Sequence, residues 1–298
     1  MSNWNIDQYP SQKDKVAVIT GANSGIGFET ALALAKKNMT VVLACRDLQK
    51  AESAKKLILK STPNAKAEVM EIDTSSLESV EKFFVEFSRK FERLDLLINN
   101  AGIMLSPKEK SVDGFENQFA TNYLGHFALT GRLMPLLLKT ENSKIITLSS
   151  LSYKWSEIQF DDLQFEKGYN KKKAYGQSKR ACLVFAYELQ RRLSKLNSSA
   201  KSFAVHPGLA KTNLDRYFNP LIRPFGVLFL QKKEKGALPI LYAAFENNLK
   251  GGEYIGPDGF QEMRGNPKIV DSDDRSKDKE IANKLWEVSE KMTGVVYL

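Results

Sequence analysis

The stretch "KVAVITGANSGIG" (15–27) constrains this chain more than any other. Apolar and β-branched residues from Val16 to Thr20 stop at a turn holding Gly21, Gly25 and Gly27. From Ile26 onward the apolar positions recur at helical spacing, with Ala31, Leu34 and Ala35 on one face. A strand that passes through flexible backbone into a helix leaves the helix's first N–H groups and its positive dipole end open at the turn. The glycines let the backbone bend tightly and approach a ligand closely. Such a turn suits a pyrophosphate, with Asn23, Ser24 and Ile26 completing the anion-facing backbone. The spacing is G-x-x-x-G-x-G, not the commoner G-x-G-x-x-G.

The rest of the chain repeats the alternation. "TVVLAC" (Thr40–Cys45), "AKAEVMEID", "LDLLIN" (Leu94–Asn99), "SKIITLSS" (Ser143–Ser150), "KSFAVHP" and "GEYIG" read as strands. Helical patterns lie between them, over Leu48–Leu59, "LESVEKFFVEFSRKF", roughly Val112–Leu138, and Tyr175–Leu196. Short, continuously apolar strands separated by helices predict a parallel sheet covered on both faces, an α/β doubly wound, Rossmann-type architecture. No linker, repeat or low-complexity segment interrupts the 298 residues, so one domain over 1–298 is expected. The irregular region is 214–235, rich in Phe, Leu, Pro and Gly, which reads as a substrate lid offering Phe218, Leu221, Phe225, Leu228 and Phe229.

Composition removes several alternatives. The two cysteines, Cys45 and Cys182, give no disulfide framework and fit a reducing, cytoplasmic setting. With His126 and His206 as the only histidines, a zinc site lacks ligands, and no metal is expected. No apolar run has the length of a membrane span. The net charge of +9 is spread along the chain with acidic residues interleaved, which argues for a solvated surface rather than a nucleic-acid face.

Four motifs in chain order, Thr20-Gly21-x-x-x-Gly25-x-Gly27, Asn99-Asn100-Ala101-Gly102, Tyr175-x-x-x-Lys179 and Pro207-Gly208, resemble those of the short-chain dehydrogenase/reductase family. The resemblance runs from about Lys15 to Thr212. The long stretch between Ser150 and Tyr175, with "CRD" and "TNYLGHF", resembles the retinol-dehydrogenase-like branch. The membrane helix that often precedes the first strand in that branch is not seen here.

The resemblance implies a nicotinamide dinucleotide. At the end of the second strand, where an acid would select NAD through the ribose hydroxyls, stand Cys45 and Arg46; an arginine fork suits a 2′-phosphate, so NADP(H) is expected. Asp47 is available to cap the following helix. By resemblance Asp73, with Thr74 beside it, contacts the adenine; Asn99, Ala101 and Gly102 floor the adenosine ribose; Pro207, Gly208 and Thr212 line the nicotinamide end. Ser75 or Ser76 is an alternative cap for the helix near Leu77.

Tyr175 and Lys179 share a helix face. A phenol titrates near ~10, and a neighbouring ammonium and an oxidised nicotinamide are expected to lower that value so that Tyr175 exchanges a proton with a carbonyl or alcohol oxygen. The family assigns Lys179 a second bond to the nicotinamide ribose. Ser150 resembles the residue that positions the substrate oxygen, with Ser149 as the competing assignment. Asn122 matches a helix asparagine that holds a water linking Lys179 to solvent. His126, without a triad partner, reads as a packed or capping histidine.

The expected protein is therefore an NADP(H)-dependent oxidoreductase interconverting an apolar aldehyde or ketone with its alcohol. Homo-oligomer formation is compatible with this reading. Two alternatives stand beside it: a non-catalytic dinucleotide sensor, against which Tyr175 and Lys179 argue, and an enzyme like protochlorophyllide reductase, against which the scarcity of cysteine argues.

Overall fold

In the computed structural model, which describes residues 4–209 and 231–298, eight strands form one sheet in the order β3-β2-β1-β4-β5-β6-β7-β8. The elements follow in chain order: β1 (Val16–Thr20), α1 (Gly25–Lys36), β2 (Thr40–Cys45), α2 (Leu48–Ser61), β3 (Ala67–Glu71), α3 (Leu77–Lys90) and β4 (Leu96–Asn99). After them come a single turn α4 (Asn117–Phe119), a π-helical turn (Ala120–Leu124), α5 (Gly125–Lys139) and β5 (Lys144–Leu148). A 3-10 turn (Leu151–Trp155), α6 (Lys171–Lys195), β6 (Lys201–Val205), α7 (Lys233–Phe245) and β7 (Tyr254–Pro257) come next. β8 (Pro267–Val270), the short α8 (Asp274–Lys277) and α9 (Lys279–Thr293) close the chain. The expected doubly wound sheet is present, and β1 through β7 pair in parallel.

β8 departs from that expectation. It pairs antiparallel with β7, from Tyr254↔Val270 to Pro257↔Pro267. Lys268 and Ile269 are exposed, so the apolar run that marks the inner strands is missing and the segment carried no strand signal. Most of the expected lid, 214–230, lies outside the described residues; its last residues, 233–235, begin α7.

Each sheet face carries its own core. On one, α3, α5, α6 and α9 bury Phe83, Phe87, Phe127, Phe185 and Trp286; on the other, α1, α2 and α7 bury Leu34, Ile58 and Ile240. The last residues also belong to the first core. Tyr297 packs on Phe127 and Trp286, with ring centroids 5.0 and 4.8 Å away, and a Cβ at Gly131 would come within 2.5 Å of its ring. Arg192 donates to the Leu298 carbonyl at 2.9 Å.

Strand order reverses at β1, which lies between β2 and β4. The crevice beyond the carboxyl ends of those strands is where open α/β sheets bind ligands.

Candidate active site

At the mouth of the crevice the glycine-rich turn has the shape its sequence requires. Gly21 and Gly25 take φ of +68° and +60°, a conformation costly to a residue with a Cβ. A Cβ at Gly27 would lie 2.5 Å from the Gly21 carbonyl and 2.6 Å from Asn100 Nδ2. Ser24 is the N-cap of α1 and makes no side-chain cap bond, so the first N–H groups of Gly25, Ile26 and Gly27 remain for an external anion. These residues fit the pyrophosphate of a dinucleotide. Beneath the turn lies the Cys45 thiol, against the backbone N–H groups of Asn23, Ala22 and Gly21. Burial pushes its pKa up to about 11, so it forms a neutral floor.

The turn is held from below by Thr20. Its Oγ1 accepts from Asn100 N and Ala101 N, both at 2.9 Å, and lies 2.9 Å from His126 Nε2. His126 Nδ1 is 2.9 Å from the Asn122 carbonyl, which can only accept. Nδ1 therefore carries the proton, Nε2 accepts from the Thr20 hydroxyl, and every polar atom of the bridge is satisfied. Burial lowers the His126 pKa to about 4, which keeps the ring neutral. The packed reading of His126 matches its position, but nothing in the sequence pairs it with Thr20.

Asn99 and Asn100 divide their tasks. The Asn99 side chain faces the core, donating to Thr130 Oγ1 at 3.0 Å, because successive strand residues point to opposite faces. Asn100 instead ties the two strand ends together through Nδ2 to the Thr20 carbonyl, 2.7 Å. Ala101 and Gly102 follow at the crevice, and a Cβ at Gly102 would stand 3.0 Å from Asn122 Oδ1 and 3.7 Å from Lys179 Nζ.

At the adenosine end, the Arg46 side chain is 70% exposed and forms a 3.5 Å ion pair with Asp73. Asp73 Oδ1 accepts from Ser75 N and Oγ, while Ser76 caps α3 and Asp47 caps α2. Thr74 is buried, its carbonyl pressed against Gly125. At the far end Pro207 accepts from Gln231 Nε2 at 2.6 Å, and Gly208 takes φ +64° against the Met263 carbonyl. Thr212 lies outside the described residues.

The stretch "AYGQSKR" occupies the middle of the site, and α6 begins at Lys171, one turn earlier than the sequence suggested, because Asn170 accepts from Lys172 N and Lys173 N. Tyr175 is 4% exposed, and the Ser150 side chain acts on its phenol in favour of the phenolate. Ser149 faces the opposite way, donating to the Lys179 carbonyl at 2.8 Å. Lys179 lies with Nζ 6.0 Å from the Tyr175 ring centroid and donates to the Leu148 carbonyl at 3.0 Å. Ser178 donates to the Tyr175 carbonyl and accepts from Asn122 Nδ2.

Burial pushes the Tyr175 phenol above its ordinary value, with the Ser150 bond pulling the other way, and burial lowers Lys179. The protein alone does not poise the phenol near neutrality. Asn122, at the π-helical turn, has its carbonyl occupied by His126 Nδ1 and by Cys182 Sγ at 3.2 Å. Its side chain pairs with Ile103 N and O at 2.8 and 3.0 Å. Asn122 thus acts as a clasp between α5, α6 and the 102–104 segment.

Among the described residues no group of His, Cys, Asp or Glu could hold a metal ion, and no helix is long and apolar enough to cross a membrane.

The pattern described as "short chain dehydrogenase" matches residues 15–221. The chain belongs to the short-chain dehydrogenase family. It is 38% identical over 292 residues to "Retinol dehydrogenase 13" of Homo sapiens, covering 94% of this chain and 85% of that one. With "Retinol dehydrogenase 14" of Mus musculus the identity is 37%, over 95% and 86% of the two chains. An uncharacterized protein from Mycobacterium paratuberculosis superposes with a TM-score of 0.82 at 36% identity, covering 100% of both chains. This short-chain dehydrogenase stands in the retinol-dehydrogenase-like branch and is an oxidoreductase of alcohol and carbonyl groups that uses a nicotinamide dinucleotide.

Proposed function

We propose that this protein is an NADP(H)-dependent oxidoreductase, built as one domain and working in the cytoplasm, that interconverts an apolar aldehyde or ketone with its alcohol. One observation supports the reading: Ser150 acts on the Tyr175 phenol, and Lys179 Nζ lies 6.0 Å from the Tyr175 ring and close to Gly102 at the strand end. The bound dinucleotide supplies or accepts the hydride. Tyr175 holds the proton that the substrate oxygen gains or gives up, and Ser150 orients that oxygen beside the phenol. Lys179, donating to Leu148, keeps its remaining donors toward the crevice for a ribose hydroxyl. A positive charge arriving beside the phenol offsets the burial that raises its pKa.

NADP(H) rather than NAD(H) is supported by the neutral Cys45 at the selecting position and by the exposed guanidinium of Arg46 next to it. The Arg46–Asp73 pair is an exposed ion pair of small worth, so a 2′-phosphate displaces it at little cost. An apolar substrate, such as a retinoid or another aldehyde, is supported by the names of the relatives.

Tyr175→Phe tests the chemistry. It removes one oxygen and leaves the ring against Trp155, 6.0 Å away. With NADPH and a panel of retinal, benzaldehyde and aliphatic aldehydes, kcat should fall by about 10²–10⁴-fold while NADPH affinity holds. Near wild-type reduction by this variant would overturn the proposed proton path.

A further inference from the structure

The residue after the lysine, Arg180, is 3% exposed, an unusual place for a permanent charge. Its donors are nonetheless matched. Nη1 and Nη2 donate to the two carboxylate oxygens of Asp273 at 2.8 and 2.9 Å, and Nη1 also reaches Ser276 Oγ at 3.0 Å. Nε donates to the Ser156 carbonyl at 2.8 Å. The guanidinium carbon stands 5.3 Å from the centre of the Tyr153 ring, and Glu157 lies at 3.5 Å.

These partners are distributed in a telling way. Ser156 and Tyr153 belong to the short segment that leaves β5 immediately after Ser150. That segment curls as a 3-10 turn, with Tyr153 N donating to the Ser150 carbonyl at 3.0 Å and Ser152 N to Ser150 Oγ at 3.2 Å. It also presses on α6 at Gly176, where a Cβ would lie 3.0 Å from both the Ser152 carbonyl and Ser156 N. Asp273 comes from the other end of the chain, at the start of α8, where its carboxylate also caps the Ser276 N–H. A single planar fork thus joins the helix bearing Tyr175 and Lys179, the segment bearing Ser150, and the C-terminal region.

Resting on the function proposed above, we propose that Arg180, oriented by Asp273, is a positioning residue that clamps the Ser150–Ser156 segment onto α6 and so keeps the Ser150 hydroxyl against Tyr175. Neither Arg180 nor Asp273 touches the reacting atoms. Lysine in place of the arginine is a point donor and cannot span a carbonyl and a bidentate carboxylate together. The clamp loosened, Ser150 loses its fixed place at the phenol, and the hydrogen bond that favours the phenolate weakens.

The test compares Arg180→Met, Arg180→Lys, Asp273→Asn and Ser150→Ala in the full chain bound to NADP⁺. Tyr175 ionisation is read as ultraviolet difference absorbance between each protein and its Tyr175→Phe counterpart, so no substrate is needed. Ser150→Ala should move the phenolate titration upward by about one pH unit. Arg180→Met and Arg180→Lys should move it in the same direction, Asp273→Asn by less, and Arg180→Met should add nothing in the Ser150→Ala background. With aldehyde and NADPH, kcat should fall about 10-fold or more while the NADPH dissociation constant stays within twofold. Arg180 variants that bind NADPH normally yet titrate as the wild type overturn the clamp. An Arg180→Met effect that multiplies with Ser150→Ala also overturns it, since that is general loosening. If an Arg180 variant fails to fold, Asp273→Asn decides by the same readout. A titration unmoved by Ser150→Ala instead strikes the function proposed above.

Discussion

Replacing Thr20 with valine keeps the size and branching of a fully buried residue and deletes one oxygen. In the structure that oxygen accepts from Asn100 N and Ala101 N and donates to His126 Nε2, each at 2.9 Å. Asn100 N has a second acceptor, the Ile98 carbonyl at 3.0 Å, so it is not orphaned. Ala101 N and His126 Nε2 are. A buried polar group left without its partner costs about 1–3 kcal/mol, and His126 is buried whereas Ala101 is only partly so, so Thr20→Val should destabilise the fold by about 1–3 kcal/mol. Against a total stability of about 5–15 kcal/mol this is a large fraction. Urea unfolding at neutral pH, followed by far-ultraviolet circular dichroism, measures it. Thr20→Ser is the control: it retains the hydroxyl and should lose only about 1 kcal/mol for the buried methyl. The reasoning is refuted if valine and serine are equally stable, because the bridge would then be geometry without energy.

Three further outcomes follow from the same structure. Arg46→Ala should narrow the preference for NADPH over NADH by about 1–3 kcal/mol, read by titrating both cofactors into wild type and variant; equal wild-type affinities contradict the NADP(H) reading. Gly125→Ala would put a Cβ 1.9 Å from the Thr74 carbonyl, so a loss of about 3 kcal/mol is expected in chemical denaturation, and a silent substitution would mean that the contact relaxes freely. His126 keeps a folded pKa of about 4 against 6.5 for the unfolded chain. Above about pH 6.5 the ring is neutral in both states and costs nothing. As pH falls toward 4 only the unfolded chain takes up the proton, so about 3 kcal/mol of stability is lost across that window. His126→Gln should flatten this limb in urea unfolding measured at several pH values, and an unchanged slope would disprove it.

The sheet was legible because strands buried on both faces must be continuously apolar, and "KVAVIT", "TVVLAC" and "KIITL" are. β8 was not, because this four-residue edge strand buries only its two ends, Pro267 and Val270, which are too few to register. The π-helical turn at 120–124 escaped for a related reason: one extra residue within a helix shifts the apolar face without altering composition. Motif residues were legible as types, but not in their orientation. Asn99 and Asn100 are adjacent and alike, and only the pleat decides which faces the core. The raised Tyr175 phenol was hidden as well. Its spacing from Lys179 is written in the sequence, whereas the depth at which the pair is buried is a property of the assembled layers.

The seating of Tyr297 beside Gly131 bears on how the chain is made. A chain leaving the ribosome completes β1 through β4 and their helices early, with the nucleotide turn among them. The aromatic face of α5 and α6 stays open until α9 and the tail emerge; the Tyr123–Ser289 bond alone spans 166 positions. During that interval Phe127 and Phe185 face solvent, an apolar surface that chaperones bind. Slow translation beyond α6 therefore leaves this aromatic face open for longer than slow translation of β1 through β4 would.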